Sequence, residues 1–330
     1  MSRRMRDSIT DDPHDGFDRP GKRSRPRTKD RPTYTEATDA MIVTVDRGRF
    51  RCLAEDGTPV TATKARNLGR TGVIVGDRVR LVGDTTGAEG SLARIVEVGA
   101  RDTVLRRTAD DDDPFERPIV ANADHLVIVA ALADPPPRVG MIDRILVAAY
   151  DAGLEPLLVL TKADLADPDG LMATYRPLGL RVVAVEPGSD LSTLAAALNG
   201  HRSVLVGHSG VGKSTLVNAL IPGVDRQVGK VNEVTGRGRH TSTSAIALPL
   251  PDGAGWVIDT PGVRSFGLSH VTPDSIVSAF SDLSELVADC PRGCRHDSSA
   301  PECALDVAVA DGRLATERLE SFRRMEKAFG

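Results

Sequence analysis

The sequence predicts an α/β fold built on a mostly parallel sheet, with a small β-barrel before it and a short helical, metal-binding segment after it. Three observations carry this prediction. Strands and helices alternate from about residue 119 to 260, five short strands crowd the stretch before them, and three of the four cysteines fall close together near residue 300.

At 330 residues the chain exceeds one typical domain, so boundaries are sought first. A formal net charge of −4 excludes a protein that coats nucleic acid over its whole surface, but the average hides a basic stretch. Arg19, Lys22, Arg23, Arg25, Arg27, Lys29 and Arg31 stand against one acid, Asp30. Residues 1–38, which almost lack aliphatics, are expected to form a disordered basic tail that favours polyanions. No window approaches the roughly 18 apolar residues of a membrane span, and the first thirty residues hold no apolar leader, so the expectation is a cytoplasmic protein without a membrane partner.

In the barrel region, residues 39–105, the runs MIVTV, RFRCL, PVTATKA, DRVRLV and SLARIVEV alternate apolar with polar and are separated by glycine turns. Five such strands suggest an oligonucleotide-binding (OB) fold; an SH3-like barrel without a nucleic-acid role fits the pattern as well. The acidic, proline-bearing stretch 106–118 reads as a linker. Over 119–270, HLVIVAAL, PLLVL, RVVAV and SVLVG are strands with helical patterns between them, the signature of parallel strands with crossover helices. In 271–330, Thr272 is a good N-cap before Pro273, with Ile276, Phe280, Leu283 and Val287 on one face, and a last helix runs through Leu319, Phe322, Met325 and Phe329.

The strongest chemical signal is GHSGVGKST: Gly207, His208, Ser209, Gly210, Val211, Gly212, Lys213, Ser214 and Thr215. It follows a strand and opens a helix, the context a phosphate-binding loop requires. There successive backbone N–H groups and a helix N-terminus converge on phosphates, Lys213 reaches the terminal phosphate, and Ser214 ligates Mg²⁺. Downstream, WVIDTPG puts Asp259 at a strand end to hold Mg²⁺ and offers the Gly262 N–H to the γ-phosphate. TKAD at 161–164 chooses the base: the Asp164 carboxylate accepts from guanine's ring N–H and exocyclic amine, and Lys162 lies over the ring. Thr161 stands where that motif usually has asparagine, a loss expected to weaken affinity by about 1 kcal/mol.

Order is the informative part, because TKAD precedes the phosphate loop, the reverse of ordinary GTPases. Each motif ends a strand, so cutting one loop and joining the old termini leaves the pocket intact: this is a circularly permuted P-loop GTPase pattern. Between the loop and DTPG, the GRGRHTST segment has switch I character; Thr241 or Thr243 is the further Mg²⁺ ligand, and His240 is the candidate that positions water, since Val263 occupies the place of the glutamine of Ras-like enzymes. Lys213 and His240 are thus the catalytic candidates. Cys290, Cys294, His296 and Cys303 close a Cys₃His shell with no open position, which indicates one structural Zn²⁺.

A five-stranded barrel, TKAD before GHSGVGKST before DTPGVRSFG, the GRGRHTST switch and the Cys-Cys-His-Cys tail together closely resemble the RsgA (YjeQ) family of ribosome small-subunit-dependent GTPases. The resemblance spans about residues 40–330 and includes GDRVRL, ANADHLVIV, IDRILVAA and RLESF. It implies a monomeric GTPase that binds GTP and GDP and contacts the small (30S) ribosomal subunit and its rRNA late in assembly. It also implies hydrolysis stimulated by the subunit, with the switch I histidine, here His240, taking part. The family's Ser-Ala segment behind the guanine has no clear counterpart, since RVVAVEPGSDL offers only Ala184 and Val185. A non-enzymatic GTP-binding RNA adaptor is the competing reading, and an ATP-driven assembly factor a second.

Overall fold

Alternation of apolar and polar residues builds the barrel. In the computed structural model, which describes residues 36–69, 72–107, 117–223, 245–261, 277 and 280–327, five strands form it. They are β1 (Thr38–Asp46), β2 (Arg49–Ala54), β3 (Pro59–Lys64), β4 (Arg78–Gly83) and β5 (Ala93–Val98). Ile42, Cys52, Val60, Ala62, Leu81 and Ile95 turn inward as its core. Burying Leu81 or Ile95 contributes on the order of 1.5–3 kcal/mol each. β1 pairs with β2, β2 with β3, β3 with β5, β5 with β4, and β4 with β1 again, so the barrel closes and keeps no free edge.

The barrel is continuous with the main sheet. β1 shifts register between Ile42 and Thr44; residues before the shift pair with β4, and Thr44 pairs with Ile246 of β12 (Ile246–Pro249). A second joint lies at Gly76, whose N–H donates to Ile42 O at 2.9 Å while its carbonyl accepts from Asn122 Nδ2 at 2.9 Å. A Cβ at Gly76 would lie 2.0 Å from the Ala121 carbonyl oxygen, so only glycine permits this approach. Beside it, fully buried Asp77 is neutralised by Arg101, whose Nε and Nη2 donate to its two oxygens at 2.6 and 2.8 Å.

The stretch expected as a linker is bounded by paired strands, β6 (Val104–Arg107) and β7 (Arg117–Ala121), because Leu105 and Val120 both find core to bury in. Then come β8 (His125–Ala131), α1 (Val139–Asp151), β9 (Glu155–Thr161), α2 (Asp169–Tyr175), β10 (Arg181–Val185), α3 (Ser192–Leu198), β11 (His201–Val206), α4 (Lys213–Leu220), β12 and β13 (Gly255–Asp259). The spatial order is β10-β9-β8-β11-β13-β12-β1, with the first five strands parallel. β8 shows why both faces are covered: Leu126, Ile128 and Ala130 pack with α1, while Val127, Val129 and Ala131 pack with α3 and α4.

α5 (Ser281–Val287), α6 (Ala304–Ala310) and α7 (Thr316–Glu326) follow. Thr272, Pro273 and Ile276 lie outside the described residues, but Phe280 is the non-helical N-cap of α5, so the expected single helix face is interrupted there. The reason is packing: the Phe280 ring meets Tyr150 edge-on at 4.5 Å and Phe322 at 6.2 Å. Leu283, Leu305, Phe322 and Met325 share one core with α1. Two basic residues of α7 are spent on this docking: Arg318 holds Asp282 and the Pro177 carbonyl, and Arg324 reaches buried Asp143 at 3.3 Å.

Candidate nucleotide site and metal centre

In an open parallel sheet the crevice lies outside the carboxyl ends of the strands, where the strand order reverses. Here chain order runs outward from β8 to β9 and β10, then returns to β11 on the other side of β8. The loops after β9, β10, β11 and β13 therefore meet at one edge. Gly207 leaves β11 so close to β8 that a Cβ would sit 2.2 Å from the Val129 carbonyl oxygen. Lys213, at the start of α4, is buried and donates from Nζ to the carbonyls of Gly207 at 2.6 Å and His208 at 3.0 Å. Burial pulls the Lys213 ammonium below its usual range, and the nearby carboxylate of Asp259 opposes that shift. Asp259 ends β13 at 4% exposure, and Thr260 beside it donates through Oγ1 to the Leu205 carbonyl at 2.6 Å, tying β13 to β11.

The two motifs that are reversed in sequence meet at Thr161. The buried Thr161 Oγ1 donates to the carbonyl of Val211, in the 207–215 loop, at 2.6 Å. An open cleft adjoins this contact, lined by Thr161 and Lys162 on one side and Gly212, Thr215 and Leu216 on another. Lys162 Nζ also donates to the Asp134 carbonyl. Asp164, exposed in the turn that follows Lys162, does not line the cleft. Ser209 and Gly210 are exposed, and Ser214 is half-buried in the first turn of α4. His208 turns to a separate, mainly apolar cavity with Pro135, Met141 and Ile142, its Nδ1 2.8 Å from the Ser209 carbonyl. His240, Thr241, Thr243 and Gly262 lie outside the described residues.

Sequence reasoning brought the remaining wall into view only as RVVAVEPGSDL and Val185, without a role for the turn that follows. Val185, Glu186, Pro187, Gly188, Ser189 and Leu191 line the cleft, in a turn closed by Ser189 Oγ donating to the Glu186 carbonyl at 2.8 Å. Ala184 points away and packs in the core. The available signal was positional: any loop leaving the carboxyl end of the strand beside β9 borders the same crevice.

Cys290, Cys294, His296 and Cys303 form a metal-binding group, with all four ligand atoms within 4.8 Å of one another. Nδ1 of His296 lies 3.5 Å from Cys290 Sγ and 3.8 Å from Cys303 Sγ. A tetrahedral ion with metal–sulfur bonds near 2.3 Å and metal–nitrogen bonds near 2.0 Å requires sulfur–nitrogen edges of about 3.6 Å, so the donors fit. The Ala304 N–H donates to Cys290 Sγ at 3.3 Å, as thiolate ligands require of their surroundings.

The family model described as RsgA GTPase matches residues 98–269. The Small ribosomal subunit biogenesis GTPase RsgA of Pseudomonas aeruginosa (strain LESB58) is 46% identical over 218 residues, covering 63% of this chain and 63% of that protein. The protein of the same name from Pseudomonas savastanoi pv. phaseolicola (strain 1448A / Race 6) is 42% identical over 283 residues, covering 83% of this chain and 76% of its own. The match thus spans under two thirds of the P. aeruginosa relative's length. The crystal structure of YjeQ from Thermotoga maritima superposes with a TM-score of 0.66 at 27% identity, over 88% of this chain and 98% of that one. YloQ, a circularly permuted GTPase, shares the fold with a TM-score of 0.64 at 22% identity, over 89% of this chain and 95% of its own.

Proposed function

Since this chain belongs to the RsgA GTPase family, we propose that it binds GTP at the carboxyl edge of its sheet and hydrolyses it to GDP and phosphate. We further propose that it acts in late maturation of the small ribosomal subunit, which stimulates the reaction; a cytoplasmic location follows from where subunits are assembled. The observation that supports the nucleotide reading is the Thr161–Val211 hydrogen bond, which ties the segment expected to read the base to the loop expected to hold phosphates, although the chain visits them in reverse order. In this reading guanine enters the cleft between Lys162 and the 185–191 wall, and Asp164, exposed in the turn just after Lys162, becomes its base-selective acceptor only when the base reaches out to that turn. The phosphates rest on the backbone N–H groups of Gly207–Thr215.

Lys213 offsets charge on the γ-phosphate, and its carbonyl partners hold the ammonium in place before the phosphate arrives. Ser214 and Asp259, with Thr241 or Thr243, are the oxygen donors suited to Mg²⁺, which when bound neutralises charge on the β- and γ-phosphates. Asp259 fits that role because its buried carboxylate sits where its field reaches Lys213. His240 positions the attacking water and Gly262 donates to the γ-phosphate. The Cys₃His group holds Zn²⁺ as a structural ion, since four protein donors leave no site for substrate. The barrel of 39–105 and the zinc segment of 271–330 serve as rRNA-facing domains flanking the 119–270 GTPase domain.

The test is GTP turnover with and without purified small subunits. Slow basal turnover, strong stimulation, and loss of stimulation in His240→Ala and Lys213→Ala are expected. No stimulation, with nucleotide still bound, would leave a GTP-binding RNA adaptor instead.

A further inference from the structure

One guanidinium ties the metal centre to the helix that follows it. Arg323, on α7, donates from Nε to the His296 carbonyl at 2.9 Å. Its Nη1 and Nη2 donate to the two carboxylate oxygens of Asp306 at 2.8 and 2.7 Å. The Arg323 side chain is only 15% exposed and its bond to the His296 carbonyl is partly buried, while Asp306 is half exposed and the fork to it is reinforced by being bidentate rather than by burial.

The anchor points are chemically chosen. His296 is a ligand in left-handed backbone, φ +59°, a conformation that costs energy for a residue with a Cβ and therefore needs external support. Asp306 lies in the first turn of α6, the helix whose N-cap is the ligand Cys303. Holding the His296 carbonyl and Asp306 at once sets the distance between the imidazole and the Cys303 sulfur, the 3.8 Å edge of the tetrahedron. A lysine carries the charge but not the planar fork that makes both attachments.

We propose that Arg323 is the outer positioning residue of the metal centre, a clamp that fastens the His296 turn to the helix after Cys303 and so sets how tightly the ion is kept. The proposal rests on the Cys₃His group being a zinc site, and the experiment separates the two claims. Full-length protein is loaded with zinc and challenged with excess 4-(2-pyridylazo)resorcinol, and the rate of zinc transfer is read by absorbance; thermal midpoints are recorded beside it.

Outer-shell partners are worth about 10- to 100-fold in metal affinity. Arg323→Met is therefore expected to release zinc about tenfold faster or more, with Arg323→Lys between it and the wild type. Arg318→Met is the control: it breaks an equally forked pair, to Asp282, on the same helix but away from the ligands. It is expected to lower the thermal midpoint with release within about twofold of the wild type. Release from Arg323→Met no faster than from Arg318→Met overturns the clamp while leaving the zinc site intact; a wild type that takes up no zinc overturns both. Should Arg323→Met not fold, Asp306→Asn loosens the same fork, and release from it at the wild-type rate also overturns the proposal.

Discussion

Thr161→Val tests the pocket at the point where its two reversed pieces meet. Valine is nearly isosteric with threonine, so the substitution leaves no cavity and removes only the hydroxyl. What remains is the carbonyl of Val211, a residue 4% exposed, deprived of a donor now 2.6 Å away. A buried acceptor left without its bond costs about 1–3 kcal/mol. If the phosphate loop relaxes to rescue that carbonyl, the cost falls on nucleotide binding, and affinity for a fluorescent GDP analogue drops about 5- to 150-fold at 1.4 kcal/mol per decade. If the loop cannot relax, the cost appears in the urea unfolding free energy instead. The two losses together should reach about 1–3 kcal/mol, while Thr161→Ser, which keeps the hydroxyl, should bind within about threefold of the wild type. A valine variant within about 0.5 kcal/mol of the wild type on both measures would refute the tether and the reading of one shared pocket.

Three further outcomes are expected. Gly76→Ala should cost more than about 2 kcal/mol in urea unfolding, combining left-handed strain with the collision at Ala121, whereas Gly57→Ala, at similar φ in open space, should cost about 1–2; equal losses would remove the joint between barrel and sheet. Burial among His201 and other charges holds the His125 imidazole down at about 4, so the unfolded state takes up the proton first. Stability should therefore be full above pH about 6.5 and fall by at most about 3 kcal/mol towards pH 4, and His125→Gln should flatten that slope in pH-dependent melting; an unchanged slope would contradict the buried neutral histidine. Stripping the metal with 1,10-phenanthroline should lower one cooperative calorimetric transition, since Phe322 and Met325 share a core with α1; two separate transitions would contradict that shared core.

The motifs that act through contiguous backbone were legible before any coordinates. A phosphate loop is a local winding that needs glycines at fixed offsets, and a Cys₃His shell within fourteen residues closes on itself. Alternation of period two likewise marked the five barrel strands, and short apolar runs between helical patterns marked the parallel strands β8–β11. What no local pattern encodes is which distant groups satisfy one another. Nothing near Thr161 in the sequence says that Val211, fifty residues on, accepts from its hydroxyl. EPGS is an ordinary turn until β10 pairs beside β9 and makes it a wall of the cleft. The arginines of α7 look like a basic face, yet Asp282, Asp306 and Asp143 take up Arg318, Arg323 and Arg324. Short-range sterics and periodicity are written in neighbouring residues, so the chain by itself determined its strands, the glycine-rich turn between β11 and α4, and its metal-binding group. Partner choice for buried polar groups depends on where the folded core brings separate segments together, and only the tertiary structure decided it.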